Sequence, residues 1–175
     1  MNRRNSNSLC LECGLCCNGV IFADVQLQPG DNAARLRTLG LALISNRSSK
    51  TGIQKFKQPC TAFDGCRCQI YSERPKYCRE FECLLLKSVK AGHTDHSESS
   101  RMVRSALRRV KKVKSLLREL GDADEDIALS KRFRRMKRQL ESRPLNDETA
   151  GKFGELTLAV HDLNVLLSES FYPAS

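Results

Sequence analysis

Long apolar runs are missing from this chain of 175 residues, the longest being GVIFA and LGLALI. Both fall far short of the roughly 18 apolar residues that a membrane-crossing helix needs, so no membrane association is expected. The opening MNRRNSNSL carries basic residues but neither an apolar core nor a small-residue cleavage site. The protein is therefore expected to stay in the cytoplasm, where thiols are kept reduced. Also absent are a nucleophile elbow, a phosphate-cradling glycine loop and paired catalytic carboxylates, which removes those hydrolytic chemistries and no others. Aromatic residues are few, three Tyr and seven Phe with no Trp. Finally, no cysteine follows Cys83.

What is present lies before that point. All nine cysteines fall between Cys10 and Cys83, four of them in LCLECGLCCNGV as Cys10, Cys13, Cys16 and Cys17. In a reducing compartment, close-set thiols bind metal or do redox chemistry more often than they form structural disulfides, and an odd number leaves one over from any full pairing. A Cys-x-x-Cys turn presents two soft ligands at once, and here it is used twice in succession. The same triple spacing opens the bacterial ferredoxin motif, in which one loop holds three corners of a cubane. Cys17 departs from that pattern. Adjacent residues point apart, so Cys16 and Cys17 are expected to serve different sites, or different sides of one. Gly14 allows the turn conformations that let amide hydrogens face sulfur.

The remaining thiols come in PCTAFDGCRCQIYSERPKYCREFEC, as Cys60, Cys66, Cys68, Cys78 and Cys83. With CLECGLCCNG, this stretch resembles the YkgJ-type cysteine-cluster family. That family's pattern is a C-x2-C-x2-C-C start, then Pro-Cys, Cys-x-Ile-Tyr, Arg-Pro and Cys-Arg before a last Cys. The resemblance places the family's eight cysteines at Cys10, Cys13, Cys16, Cys17, Cys60, Cys68, Cys78 and Cys83, with Cys66 outside the pattern. It implies a zinc- or iron-chelating domain, and it extends distantly to the cysteine domain of flagellin lysine N-methylases, which are associated with an iron–sulfur cluster and S-adenosylmethionine. Zinc would give closed tetrahedral thiolate sites, whereas a 4Fe-4S cluster takes four thiolates and leaves others free. The double turn and the methylase connection favour the cluster by a small margin. Tyr71, Arg74, Pro75 and Arg79, set among the last cysteines, are candidates to support thiolates by charge or hydrogen bonds. His93 and His96 are better read as residues of a polar loop, and His161 as a helix-surface residue.

Charge is uneven. Arg101 to Arg143 holds 15 basic and 6 acidic side chains, out of a net charge of +10 for the whole chain. Apolar residues step by three or four through Val103, Leu107, Val110, Val113, Leu117 and Leu120, again through Leu129, Phe133, Met136 and Leu140, and again through Phe153, Leu156, Val160, Leu163 and Leu167. Three amphipathic helices are expected, capped by Asp122 to Asp126 in the second and Asp147 in the third. In the first region, strands are expected in GVIFADVQ, TGIQKFKQPC and GCRCQIY, a helix capped by Asp31 through DNAARLRTLGLALI, and another through ERPKYCREFECLLLKSVKAG.

The expected fold is thus α+β and predominantly α-helical, a cysteine-rich module organised by a metal, followed by an antiparallel basic three-helix segment. Residues 1–8 are expected to be a disordered tail, 9–90 the cysteine domain, 91–99 a linker and 100–175 the helical segment. The leading function is metal or iron–sulfur binding through the eight cysteines, with a redox or accessory role. Two other readings stand beside it: a cluster-dependent, methylase-like enzyme acting on a protein, and a zinc-stabilised nucleic-acid binder. The basic helices suit an acidic protein partner, with nucleic acid the less favoured partner because only Phe133 offers stacking there.

Overall fold

The computed structural model describes residues 9–45 and 53–172; the tail expected at residues 1–8 lies outside them. The protein is α+β and mostly helical, with one small sheet. Residues 9–13 form a first helical segment, α1. The sheet consists of β1 (Asp24–Gln26), β2 (Leu43–Ser45) and β3 (Gln54–Lys57), antiparallel in the order β1-β3-β2. Val25 of β1 and Leu43 of β2 both stand opposite Phe56 of β3, which puts apolar side chains on one face. That face meets Leu36 of α2 (Ala33–Thr38), and Leu41, Ala62 and Ile70 complete a small core.

Two expected elements change here. The α2 cap is Asn32, which accepts from the Arg35 amide, while Asp31 accepts from Gln28 and Lys76 instead. The helix also ends at Thr38 rather than running through Ile44, because Gly40 at φ 90° turns the chain out of helical geometry and releases Leu43–Ser45 to the sheet. Of the strand expected in GCRCQIY only an isolated bridge between Phe63 and Cys68 forms.

The single helix expected through ERPKYCREFECLLLKSVKAG is two, α3 (Lys76–Glu80) and α4 (Leu84–Ala91). Cys83 interrupts it as the N-cap of α4, its Sγ accepting the Leu86 amide at 3.4 Å. Gly92 closes α4 in the left-handed region and Asp95 caps α5 (His96–Glu119), so only residues 92–95 connect the two helices. The linker expected at 91–99 is shorter for that reason.

The stripes expected in the second region are the buried faces of α5, α6 (Leu129–Glu141) and α7 (Asp147–Ser170). Helix α5 packs mainly against α7. Arg109 donates to the Asp162 carbonyl and Lys112 pairs with Glu155, so their directions oppose. The acidic stretch before α6 does not cap it. Ala128 is the N-cap without a side-chain bond, and Asp122 is buried against Arg132 instead. Asn146, not Asp147, caps α7.

This helical core is continuous with the cysteine region: Leu9, Leu15, Val20 and Leu85 pack into it alongside Val110, Leu117, Met136 and Leu163. The amide of Leu129 donates to Gly19 at 2.9 Å, fixing the start of α6 on the cysteine loop. No described helix is long and apolar enough to cross a membrane.

Candidate metal centre

The first four cysteines sit on α1 and the tight turns after it. Gly14, at φ 61°, accepts from the amides of Cys17 and Asn18 at 2.9 Å, and Asn18 Oδ1 accepts from Val20. Leu15 points into the helical core, fully buried. This anchors the loop from behind, so the sulfurs are left on its other side.

The later cysteines arrive on three separate supports. Cys60 follows β3 and donates its amide to the Cys17 carbonyl at 2.8 Å. Cys68 closes a loop shaped by Asp64, whose carboxylate accepts from the amides of Cys66 and Arg67 and from Gln69. Cys78 lies in α3, and Cys83 caps α4.

These supports bring the thiols together in two sets. Cys10, Cys13, Cys16 and Cys83 act electrostatically on one another. Cys17, Cys60, Cys68 and Cys78 do the same among themselves. The packing follows the same division. Cys13 and Cys83 lie against the helical core, while Cys17, Cys60, Cys68 and Cys78 lie with the small sheet core. The boundary passes through the peptide bond between Cys16 and Cys17, where the two sets also interact.

All nine cysteines line one pocket of about 150 Å³. Cys66 is exposed on its loop. His93 is exposed and His96 bonds to Ser100 Oγ at 3.1 Å; neither lines the pocket. His161 is exposed on α7.

Burial dominates the electrostatics and pushes the thiols up: Cys13, Cys17 and Cys78 to about 12 from an ordinary 9.0, Cys16 well above 9.0, and Cys10, Cys60 and Cys83 upward. Neighbouring thiols add to the rise at most of these positions, since adjacent negative charges repel. Backbone amides oppose it, from Leu15 to Cys13, from Ala62 to Cys60, and from Leu85 and Leu86 to Cys83. So does Arg74, whose charge lowers Cys10 in one set and Cys17 and Cys78 in the other. Arg74 is held over the Tyr71 ring at 3.6 Å and donates to the Tyr71 carbonyl. Pro75 is buried as the N-cap of α3, and Arg79 is exposed at the pocket.

Eight buried sulfurs with amide hydrogens and one shared cation aimed at them suit a soft, positively charged guest, since that donor chemistry is what zinc and iron–sulfur centres use. Among the described residues, no three His, Cys, Asp or Glu side chains yet stand in a metal's ligand arrangement. The thiols are gathered but not closed on a common point.

Residues 9–105, more than half the chain, match the family described as CxxCxxCC, "putative zinc- or iron-chelating domain". The chain belongs to that family. No curated protein and no solved structure matches it.

The sequence missed two features of the site. That Arg74 serves both sets depends on tertiary placement, for which nothing in SERPKYC gives a signal. That Cys83 caps a helix had a local clue, since an apolar run begins immediately after it.

Proposed function

We infer that the chain binds metal at two four-thiol sites, one from Cys10, Cys13, Cys16 and Cys83, the other from Cys17, Cys60, Cys68 and Cys78. The observation that carries this reading is the sorting of the thiols by mutual electrostatic action, repeated by their division between two apolar cores. Each site would close by rotation of cysteine side chains between staggered positions, a small change beside the backbone already in place. The first set draws three ligands from one loop and a fourth from afar, the arrangement that suits a 4Fe-4S cluster. The second draws its four from separate supports, as closed structural zinc sites do. Zinc would tie the fold together; a cluster would add a redox or accessory role.

In this reading residues 9–90 carry the metal and residues 100–175 form its helical support, and a reducing compartment such as the cytoplasm keeps the eight thiols available. Elemental analysis of anaerobically purified protein for zinc, iron and acid-labile sulfide tests it. Two occupied sites per chain are expected. A fully folded preparation free of transition metal would overturn the reading.

A further inference from the structure

Helix α5 carries a second feature, independent of the thiols. Arg101, Arg104, Arg108 and Lys111 are all exposed. At 3.6 residues per turn they fall within an arc of about 80° and extend about 15 Å along the axis. Val103, Ala106, Val110, Val113 and Leu117 are buried on the opposite side of the same helix. The stripe is therefore its outermost line.

Neighbouring cations are paired. Lys112 meets Glu155, Lys114 and Arg118 meet Glu125, and Arg109 meets the Asp162 carbonyl. Among the described residues, the four of the stripe have no ion pair or hydrogen bond. Between them along the same line stand Ser97 and Ser115, and no acidic residue interrupts it until Glu119. Four unneutralised like charges on a short line cost electrostatic energy in the free protein, which an anionic partner relieves.

The chemistry selects among anionic partners. Three of the four are arginines, whose planar fork suits the paired oxygens of phosphate. No aromatic or large aliphatic side chain is on the stripe, so it lacks both the anchors of a protein interface and the stacking platforms of a single-strand site. The apolar side of α5 is committed to the core, so the helix has no face to insert into lipid. What remains is a regular line of phosphates on the outside of a double helix, which presents roughly one charge per 1.7 Å and on the order of nine over the length of the stripe.

We propose that Arg101, Arg104, Arg108 and Lys111 form a sequence-independent binding surface for the phosphate backbone of duplex nucleic acid. Four phosphate contacts give a slope of log affinity on log salt near −3.6, so binding falls about 100-fold between about 50 and about 200 mM salt. The test is fluorescence anisotropy of the metal-replete full chain with labelled duplexes of about 24 base pairs, DNA in one arm and RNA in the other, across that salt range.

The combined R101Q/R104Q/R108Q/K111Q variant is expected to lose most of the affinity and nearly all of the slope, while Lys152→Gln, which breaks a paired cation on α7, leaves both unchanged. Circular dichroism checks that the variant folds; if it does not, Arg104→Gln alone should flatten the slope by about one. No duplex binding at low salt, or equal binding by wild type and the variants, overturns the proposal. So does stripe-dependent binding of an acidic peptide or anionic vesicles when neither duplex binds.

Discussion

The amide of Cys60 donates to the carbonyl of Cys17 at 2.8 Å, a single backbone bond that joins the N-terminal cysteine loop to the chain emerging from the sheet. It places two thiols of the second set side by side without either sulfur making the bond. Cys16, one residue earlier, faces the other set. The loop is thus a partition whose two sides are read by different parts of the protein.

Gly19 locks that partition to the helices. Its φ is 80°, and a Cβ there would lie 3.1 Å from Ala128 Cα and from Pro59, both rigid neighbours. Gly30 has a similar φ of 94° but open space around it. Gly30→Ala should therefore cost about 1 kcal/mol from backbone strain alone, and Gly19→Ala about 2–3 kcal/mol because the loop and the start of α6 must also separate. Urea unfolding of the two variants measures the difference; equal losses would mean that the close contact relaxes freely.

Arg132 is completely buried, with Nε on Asp122 Oδ1 at 3.2 Å and Nη2 on the Asp122 carbonyl at 2.9 Å. Arg135 reaches the other carboxylate oxygen, while Arg132 Nη1 has no partner. Burial alone would raise the Asp122 carboxyl. Hydrogen bonds from Arg135 and the Asp124 amide, with the charge of Arg132, outweigh it and the net shift is downward. Asp122→Ala would strand a cation in the core and is expected to cost about 3–5 kcal/mol, whereas replacing both partners by apolar residues should recover most of that. A lowered carboxyl pKa contributes stability above its unfolded value of 3.8 that fades as pH falls through the folded value. The acid limb of the wild-type unfolding curve should therefore flatten in the double replacement.

Much of the helical region was legible because its apolar residues repeat with the helix period, and Leu117, Leu140 and Leu163 are buried as that period requires. Arg132 shows its limit. It falls on the buried side of α6, between Leu129 and Met136, and only the loop that returns Asp122 to meet it explains a charge there. The family was legible from order and spacing, because cysteine patterns survive as written. The grouping of the thiols was not, since Cys83 joins the first three by a tertiary route and Cys17 leaves them by facing the other way. Local capping was ambiguous for a simpler reason: Asp31 and Asn32, and Asn146 and Asp147, are adjacent competent caps, and backbone position alone decides between them.

Alkaline pH should separate the metal-free and metal-loaded proteins. Burial holds Cys13, Cys17 and Cys78 up to about 12, against 9.0 when exposed. Thiols with raised folded values stabilise the metal-free protein fully below about pH 9 and progressively less as pH rises toward about 12, because the unfolded chain ionises first. Bound metal reverses the logic. Ligation needs thiolates, so affinity weakens as pH falls and loading releases protons. Melting temperatures across that range, with and without zinc, should diverge most at the alkaline end; parallel curves would mean that these thiols are not ligands.

The adjacent pair offers the sharpest separation of one shared centre from two. If all eight sulfurs held a single centre, Cys16→Ser and Cys17→Ser would damage the same site and give the same loss. With two sites, Cys16→Ser should empty the set completed by Cys83, and Cys17→Ser the set completed by Cys60, Cys68 and Cys78, each variant retaining about half the bound metal. The proton inventory should halve in step, since each site gives up its own thiol protons on loading. Combining Cys16→Ser with Cys83→Ser should remove no more metal than Cys16→Ser alone, because both residues serve the same site, whereas combining it with Cys78→Ser should remove nearly all. Metal-to-protein ratios of these variants, purified without oxygen, decide between the arrangements. Losses that ignore this pairing would show that the eight thiols share one centre.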